Sequence, residues 1–130
     1  MIELKLKSHE DLIVWQKSMS LVELVYATTR DFPKEELYGL TSQMRRAVTA
    51  IPTNITEGYH RNHSKEYIQF LYISKSSAWE LQTLVQIADR LKIINQTDKI
   101  QVEGLLSEIL KMLTTMISKL KEKYHNNPKP

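Results

Sequence analysis

The chain has no cysteine, so it can form neither a disulfide nor a thiolate metal site. Such usage fits a reducing cytosol. Its three glycines are scattered, and no glycine-rich loop is present to cradle a phosphate. No apolar run reaches the roughly 18 residues needed to cross a membrane. The first residues, MIELKLKSHED, lack the apolar block of a signal peptide. Together these absences read as a soluble cytoplasmic protein without a membrane partner. Period-two alternation is confined to Ile2, Leu4 and Leu6, so strands have little support. No nucleophile is paired with a base. The four histidines, His9, His60, His63 and His125, fall at ends and turns, where solvation accounts for them. These gaps point away from an enzyme and imply no cofactor.

The sequence is rich instead in apolar residues spaced three and four apart. Leu12, Trp15, Met19, Val22, Tyr26 and Thr29 line one face of a helix over about 9–31, and Val14, Leu21, Val25 and Phe32 line a second. Ser8 with Asp11 resembles a capping box, and Pro33 stops the segment. Leu37, Leu40, Met44, Ala47, Ile51 and Ile55 mark a helix over about 38–60, closed by Gly58 and the polar run HRNH. Ser64 caps a third over about 65–91, with Tyr67, Leu71, Ser74, Ala78, Leu81, Val85 and Ala88 facing the core. Ser74 and Ala78 allow close approach or leave room for a bulky partner such as Trp15. Asn95 or Thr97 caps a fourth over about 98–124, with the stripe Val102, Leu106, Ile109, Leu113, Met116 and Leu120. Four such helices joined by short loops make an all-α, antiparallel up-down four-helix bundle. Residues 1–8 read as an N-terminal extension, 9–124 as the bundle and 125–130 as a frayed tail. There is no repeat, linker or second domain.

Charge is uneven along the chain. Residues 8–36 carry a net −3, residues 37–92 a net +3, and residues 111–123 add Lys111, Lys119, Lys121 and Lys123 against Glu122 alone. A phosphate-binding set can be drawn from Arg46, His60, Arg61, His63 and Lys65, joined by Lys119, Lys121 and Lys123. Its plain counterpart is an ordinary solvated turn with a basic helix end. Tyr72 and Trp79, seven residues apart on an otherwise polar face, read as a subunit interface, with Val14, Leu21 and Val25 as the partner surface. Stacking on unpaired bases is the alternative.

The stretch RRAVTAIPTNITEG, residues 45–58, carries residues that helices usually avoid. Folding at the turn near Asn62 sets Arg45 level with Glu80 on neighbouring antiparallel helices. An Arg45–Glu80 fork is therefore expected, with Arg46 turned to solvent or a partner. Pro52 should bend the helix, and Asn54 and Glu57 should form a polar lock at the turn. There Lys65, Tyr67 or backbone N–H groups would compensate Glu57. Glu57-Gly-Tyr-His60 matches one half of a di-iron carboxylate motif. Such sites need a second motif and two further glutamates, so no metal is expected.

The blocks FPKEELYGLTSQMRRA, Ile51 through Asn54 and Glu57 to Gly58, and SSAWELQT occur together within residues 10–92. In this the chain resembles the four-helix-bundle proteins encoded by intervening sequences inside bacterial 23S rRNA genes, to which the accessory protein of diversity-generating retroelements is related. The resemblance implies a small bundle that assembles with itself, typically as a homopentamer. It also implies a basic surface for nucleic acid, with RNA or a reverse transcriptase as partner, and no established catalysis. Two functions follow: an RNA-associated adaptor, or a scaffold that binds only proteins.

Overall fold

Each apolar stripe becomes a helix in the computed structural model, which describes residues 8–126. Helix α1 spans Ile13–Arg30, α2 Ser42–Tyr59, α3 Ser64–Arg90 and α4 Gln96–Asn126. The order of packing is cyclic: α1 meets α2 and α4, and α3 meets α2 and α4. Short connections at 60–63 and 91–95 force antiparallel neighbours, and among the described residues there is no strand. The Ile2–Leu6 alternation and the tail from residue 127 lie outside the described residues. Helix α4 runs on through His125 and Asn126, two residues expected in the tail.

The core is a single cluster in which Leu21, Met44, Ile51, Ile55, Leu71, Leu81, Leu106, Ile109 and Leu113 are fully buried. Each such side chain contributes about 1.5–3 kcal/mol of transfer free energy. The stripes of α2, α3 and α4 point inward as their spacing requires. Leu37 is the exception, about half exposed ahead of α2.

Helix α1 corrects the expectation. Its buried seam is Val14, Ser18, Leu21, Val25 and Thr28, while Trp15, Val22 and Tyr26 are half-buried and Met19 is exposed. Val14, Leu21 and Val25 are thus core, not a subunit interface. Two hydroxyls interrupt the buried seam, and bulky residues fill the outer one, so hydrophobicity alone favours the wrong arc. Buried Ser18 and Thr29 satisfy their hydroxyls on the carbonyls of Val14 at 2.6 Å and Val25 at 2.7 Å.

Some helix ends follow local chemistry, but Ser64, expected to cap α3, is its first residue, and His63 at the cap position makes no side-chain capping bond. Ser8 accepts from the Glu10 amide and caps a short turn, His9–Asp11, ahead of α1. Asn95 caps α4, its Oδ1 accepting the Asp98 amide at 2.8 Å. Helix α3 closes with Lys92 in the left-handed region, φ 58°. There the Lys92 amide donates to Asp89 and the Ile93 amide to Ala88, which satisfies the last carbonyls of the helix. Across this corner Asp89 accepts from Lys99 at 2.9 Å and Gln96 at 2.7 Å. These hydrogen bonds hold its carboxyl below the usual range.

The residues of 45–58 that look hostile to a helix are accommodated within α2. Thr49, Thr53, Asn54 and Thr56 donate back to the carbonyls of Arg45, Thr49, Ala50 and Pro52. Pro52 is buried inside a helix that continues to Tyr59. Across the seam with α3, Ser74 Oγ donates to the Ile51 carbonyl at 2.8 Å. Gly58 is buried and helical: a Cβ there would lie 2.8 Å from Phe70 Cβ and 2.9 Å from Tyr67 Cδ1. It is a point of close approach, not merely a helix end.

Candidate nucleic-acid interface

Up-down topology puts the α2–α3 turn, the start of α1 and the end of α4 at one end of the bundle. Two contacts tie them. The His9 and His60 rings share a hydrogen bond, Nδ1 to Nε2, at 2.9 Å. Lys121 Nζ sits 4.9 Å from the centre of the Tyr72 ring. His60, Arg61, His63 and Lys65 therefore share an end with Lys119, Lys121 and Lys123, and all seven are exposed.

Some of these charges are already engaged. Arg61 pairs with Glu57 at 3.2 Å and covers Phe70 at 4.9 Å. Glu57 thus finds its compensation one helical turn on, in Arg61, rather than in Lys65 or Tyr67. Asn54 bonds within its own helix. The expected turn lock is in the main steric, made by Gly58 against Tyr67 and Phe70. Tyr67 is pushed up to about 12 by burial and then by Tyr59, whose ring lies 6.2 Å away. A phenol so held stays neutral and serves packing, not proton transfer. Lys65, Lys119 and Lys123 have no ion-pair partner among the described residues.

Arg46 stands apart. It lies 14 residues, or about 21 Å, up α2 from His60. Its neighbour Arg45 does not reach Glu80. The Arg45 Nε donates to Thr29 Oγ1 at 3.0 Å, and the guanidinium covers the Tyr26 ring at 4.5 Å. Counting from the turn puts Arg45 and Glu80 at one level, but the azimuth of Arg45 on α2 faces α1, and Glu80 remains exposed on α3. Arg45 and Arg46 together line a surface cavity of about 540 Å³ with Tyr26, Tyr38, Ser42 and Thr49. Tyr38 on this cavity is 93% exposed, and no hydrophobic period in the sequence marks it. Its signal was an aromatic beside a glycine at a helix start, without periodic partners.

Tyr72 and Trp79 both reach solvent on α3, Trp79 at 50% exposure. Trp79 borders a hollow between α3 and α4 with Gln82, Leu110, Lys111 and Thr114. A second hollow, about 480 Å³ and almost wholly apolar, opens between α1 and α4 beside Ile13, Met112 and Met116. Among the described residues no group of three or more His, Cys, Asp or Glu side chains could hold a metal ion. Nor is any described helix long and apolar enough to cross a membrane.

A family model described as 23S rRNA-intervening sequence protein matches residues 10–115. Among solved structures, the chain is similar to a protein of unknown function from the S23 ribosomal protein family of Bacteroides thetaiotaomicron. Identity is 22%, with 82% of this chain and 96% of that chain covered and a TM-score of 0.74. At that identity the likeness concerns the fold. No curated protein matches.

Proposed function

This chain belongs to the 23S rRNA-intervening sequence protein family, and we propose that it is a non-enzymatic, cytoplasmic adaptor that self-assembles and associates with RNA through its basic end. The observation that carries this reading is the meeting of the α2–α3 turn with the last turns of α4. Lys65, Lys119 and Lys123 there lack carboxylate partners among the described residues. One copy offers few free cations. A ring of copies, five by the family resemblance, multiplies them, and every phosphate neutralised adds salt-dependent affinity. A reverse transcriptase is the protein partner that the same resemblance suggests.

The test is binding to a structured RNA across a salt series. Affinity should fall steeply with salt, and the double variant Lys119→Glu, Lys123→Glu should weaken it about tenfold or more, with a shallower slope. Salt-independent binding, or none, would remove the reading. The half-exposed Trp79 favours a second reading, a scaffold for protein contacts alone. Under it Trp79→Ala lowers the mass measured by light scattering while RNA binding is absent in the parent protein.

A further inference from the structure

We propose that the cleft between the last turns of α1 and the start of α2 is a seat for one unpaired nucleotide of a single-stranded RNA, with the base on Tyr38 and the phosphate between Arg45 and Arg46. This rests on the RNA reading above and adds a second, chemically different contact some 14 residues along α2 from the basic end.

A kinked backbone carries Tyr38. Between Leu37 and Thr41 the chain kinks, because Gly39 leaves helical geometry with φ −114° and ψ −109°. The Glu36 carboxylate accepts the Leu40 amide at 3.3 Å and clamps that kink. A Cβ on Gly39 would lie 3.2 Å from Glu36 Oε1, so glycine and clamp fit each other. The result is a ring 93% exposed at the mouth of a cavity of about 540 Å³. A tyrosine this bare adds nothing to the core. It offers an aromatic face for stacking.

The cavity also asks for negative charge. Arg45 is pinned by its Nε to Thr29 and by its face to Tyr26, and its two terminal nitrogens have no partner among the described residues. The guanidinium of Arg46 has none either. No carboxylate lines the cavity, while the hydroxyls of Thr41, Ser42 and Thr49 do. Two arginines lining one cleft without an acid suit a phosphate, which accepts N–H donors from both. A free mononucleotide would need a pocket that encloses it. This cleft leaves its aromatic wall in water, which suits a strand that passes across and lays down one base. An RNA duplex keeps its bases stacked on one another and cannot use Tyr38.

The experiment measures binding of a fluorescein-labelled ten-nucleotide oligouridylate, and of a ten-base-pair RNA duplex, by anisotropy at fixed salt. Tyr38→Ala should weaken oligouridylate binding about 5- to 100-fold and leave duplex binding within about twofold, because base–aromatic stacking contributes about 1–3 kcal/mol. Tyr38→Phe should bind as the parent does, and Arg46→Gln should weaken both RNAs. Equal oligouridylate affinity in the parent and in Tyr38→Ala overturns the proposal, as does a loss in Tyr38→Ala that Tyr38→Phe shares. Arg46→Gln is a separate check should Tyr38→Ala lose its thermal midpoint: an unchanged oligouridylate affinity in that variant also overturns it. If the parent binds RNA and Lys119→Glu, Lys123→Glu weakens it while Tyr38→Ala does not, the nucleotide seat alone falls. If the parent binds neither RNA at any salt, both readings fall.

Discussion

The α2–α3 seam and the α1–α4 seam are built from opposite materials. Along the first, backbones come close: Gly58 lies against Tyr67 and Phe70, Ser74 bonds to the Ile51 carbonyl, and Ala47 and Ala78 are buried nearby. Along the second, long flexible side chains leave an apolar hollow of about 480 Å³ beside Met112 and Met116. A surface pair, Lys17–Glu108 at 2.9 Å, spans it, and Ile13 is 58% exposed. Small residues and hydroxyl-to-carbonyl bonds demand one geometry, whereas methionine and lysine adapt to several. The first seam therefore holds the specification of the fold, and the second leaves surface to spare.

The sharpest way to break this comparison is to put the same methyl group on two glycines. At Gly58 an added Cβ meets Phe70 Cβ at 2.8 Å, and that atom is bonded to backbone and cannot swing aside. Gly58→Ala should cost about 1–3 kcal/mol, seen as a lower midpoint in thermal or urea unfolding. A midpoint at or above the parent's would mean that the α2–α3 seam is no tighter than the other. At Gly104, on the exposed side of α4, a Cβ meets nothing within 4 Å. Gly104→Ala should therefore stabilise by about 0.8–1 kcal/mol, the difference in helix propensity. Equal signs for the two variants would erase the contrast.

The two seams also explain what could be read in advance. Each of α2, α3 and α4 has one dominant apolar face, which points inward, while Tyr72, Ile73 and Trp79 off that face of α3 stay exposed. Helix α1 has two, and Trp15 and Tyr26 make the outer one look like core. Trp15 is in fact held at the edge, its Nε1–H donating to Thr56 Oγ1 at 3.0 Å. Sequence spacing gives the level of a residue along a bundle more readily than its azimuth, so it points Arg45 to Glu80, whereas the fold turns it to Tyr26 and Thr29. The shared end of the α2–α3 turn and the last turns of α4 follows from topology alone. The Tyr38 cleft does not, because it depends on a kink at Gly39 that no hydrophobic period encodes. Gly58 had the form of a helix terminator, and only the approach of α3 gives its reason.

The smallest expected effect belongs to the loose seam. Lys17 and Glu108 are joined at 2.9 Å, but their side chains keep 37% and 55% of their exposure. Water screens the attraction, and ordering two long side chains costs entropy, so exposed pairs contribute about 0–1 kcal/mol. Lys17→Met keeps an apolar stem of similar length on the α1–α4 seam and removes only the charge. Its unfolding free energy should stay within about 0.5 kcal/mol of the parent's. A double-mutant cycle with Glu108→Gln should give a coupling no larger than that. A coupling above about 1.5 kcal/mol would show that the pair is held in one geometry and shielded from water. The α1–α4 seam would then be a specified contact like its counterpart, and the hollow beside it a feature the fold maintains rather than slack between two adaptable surfaces.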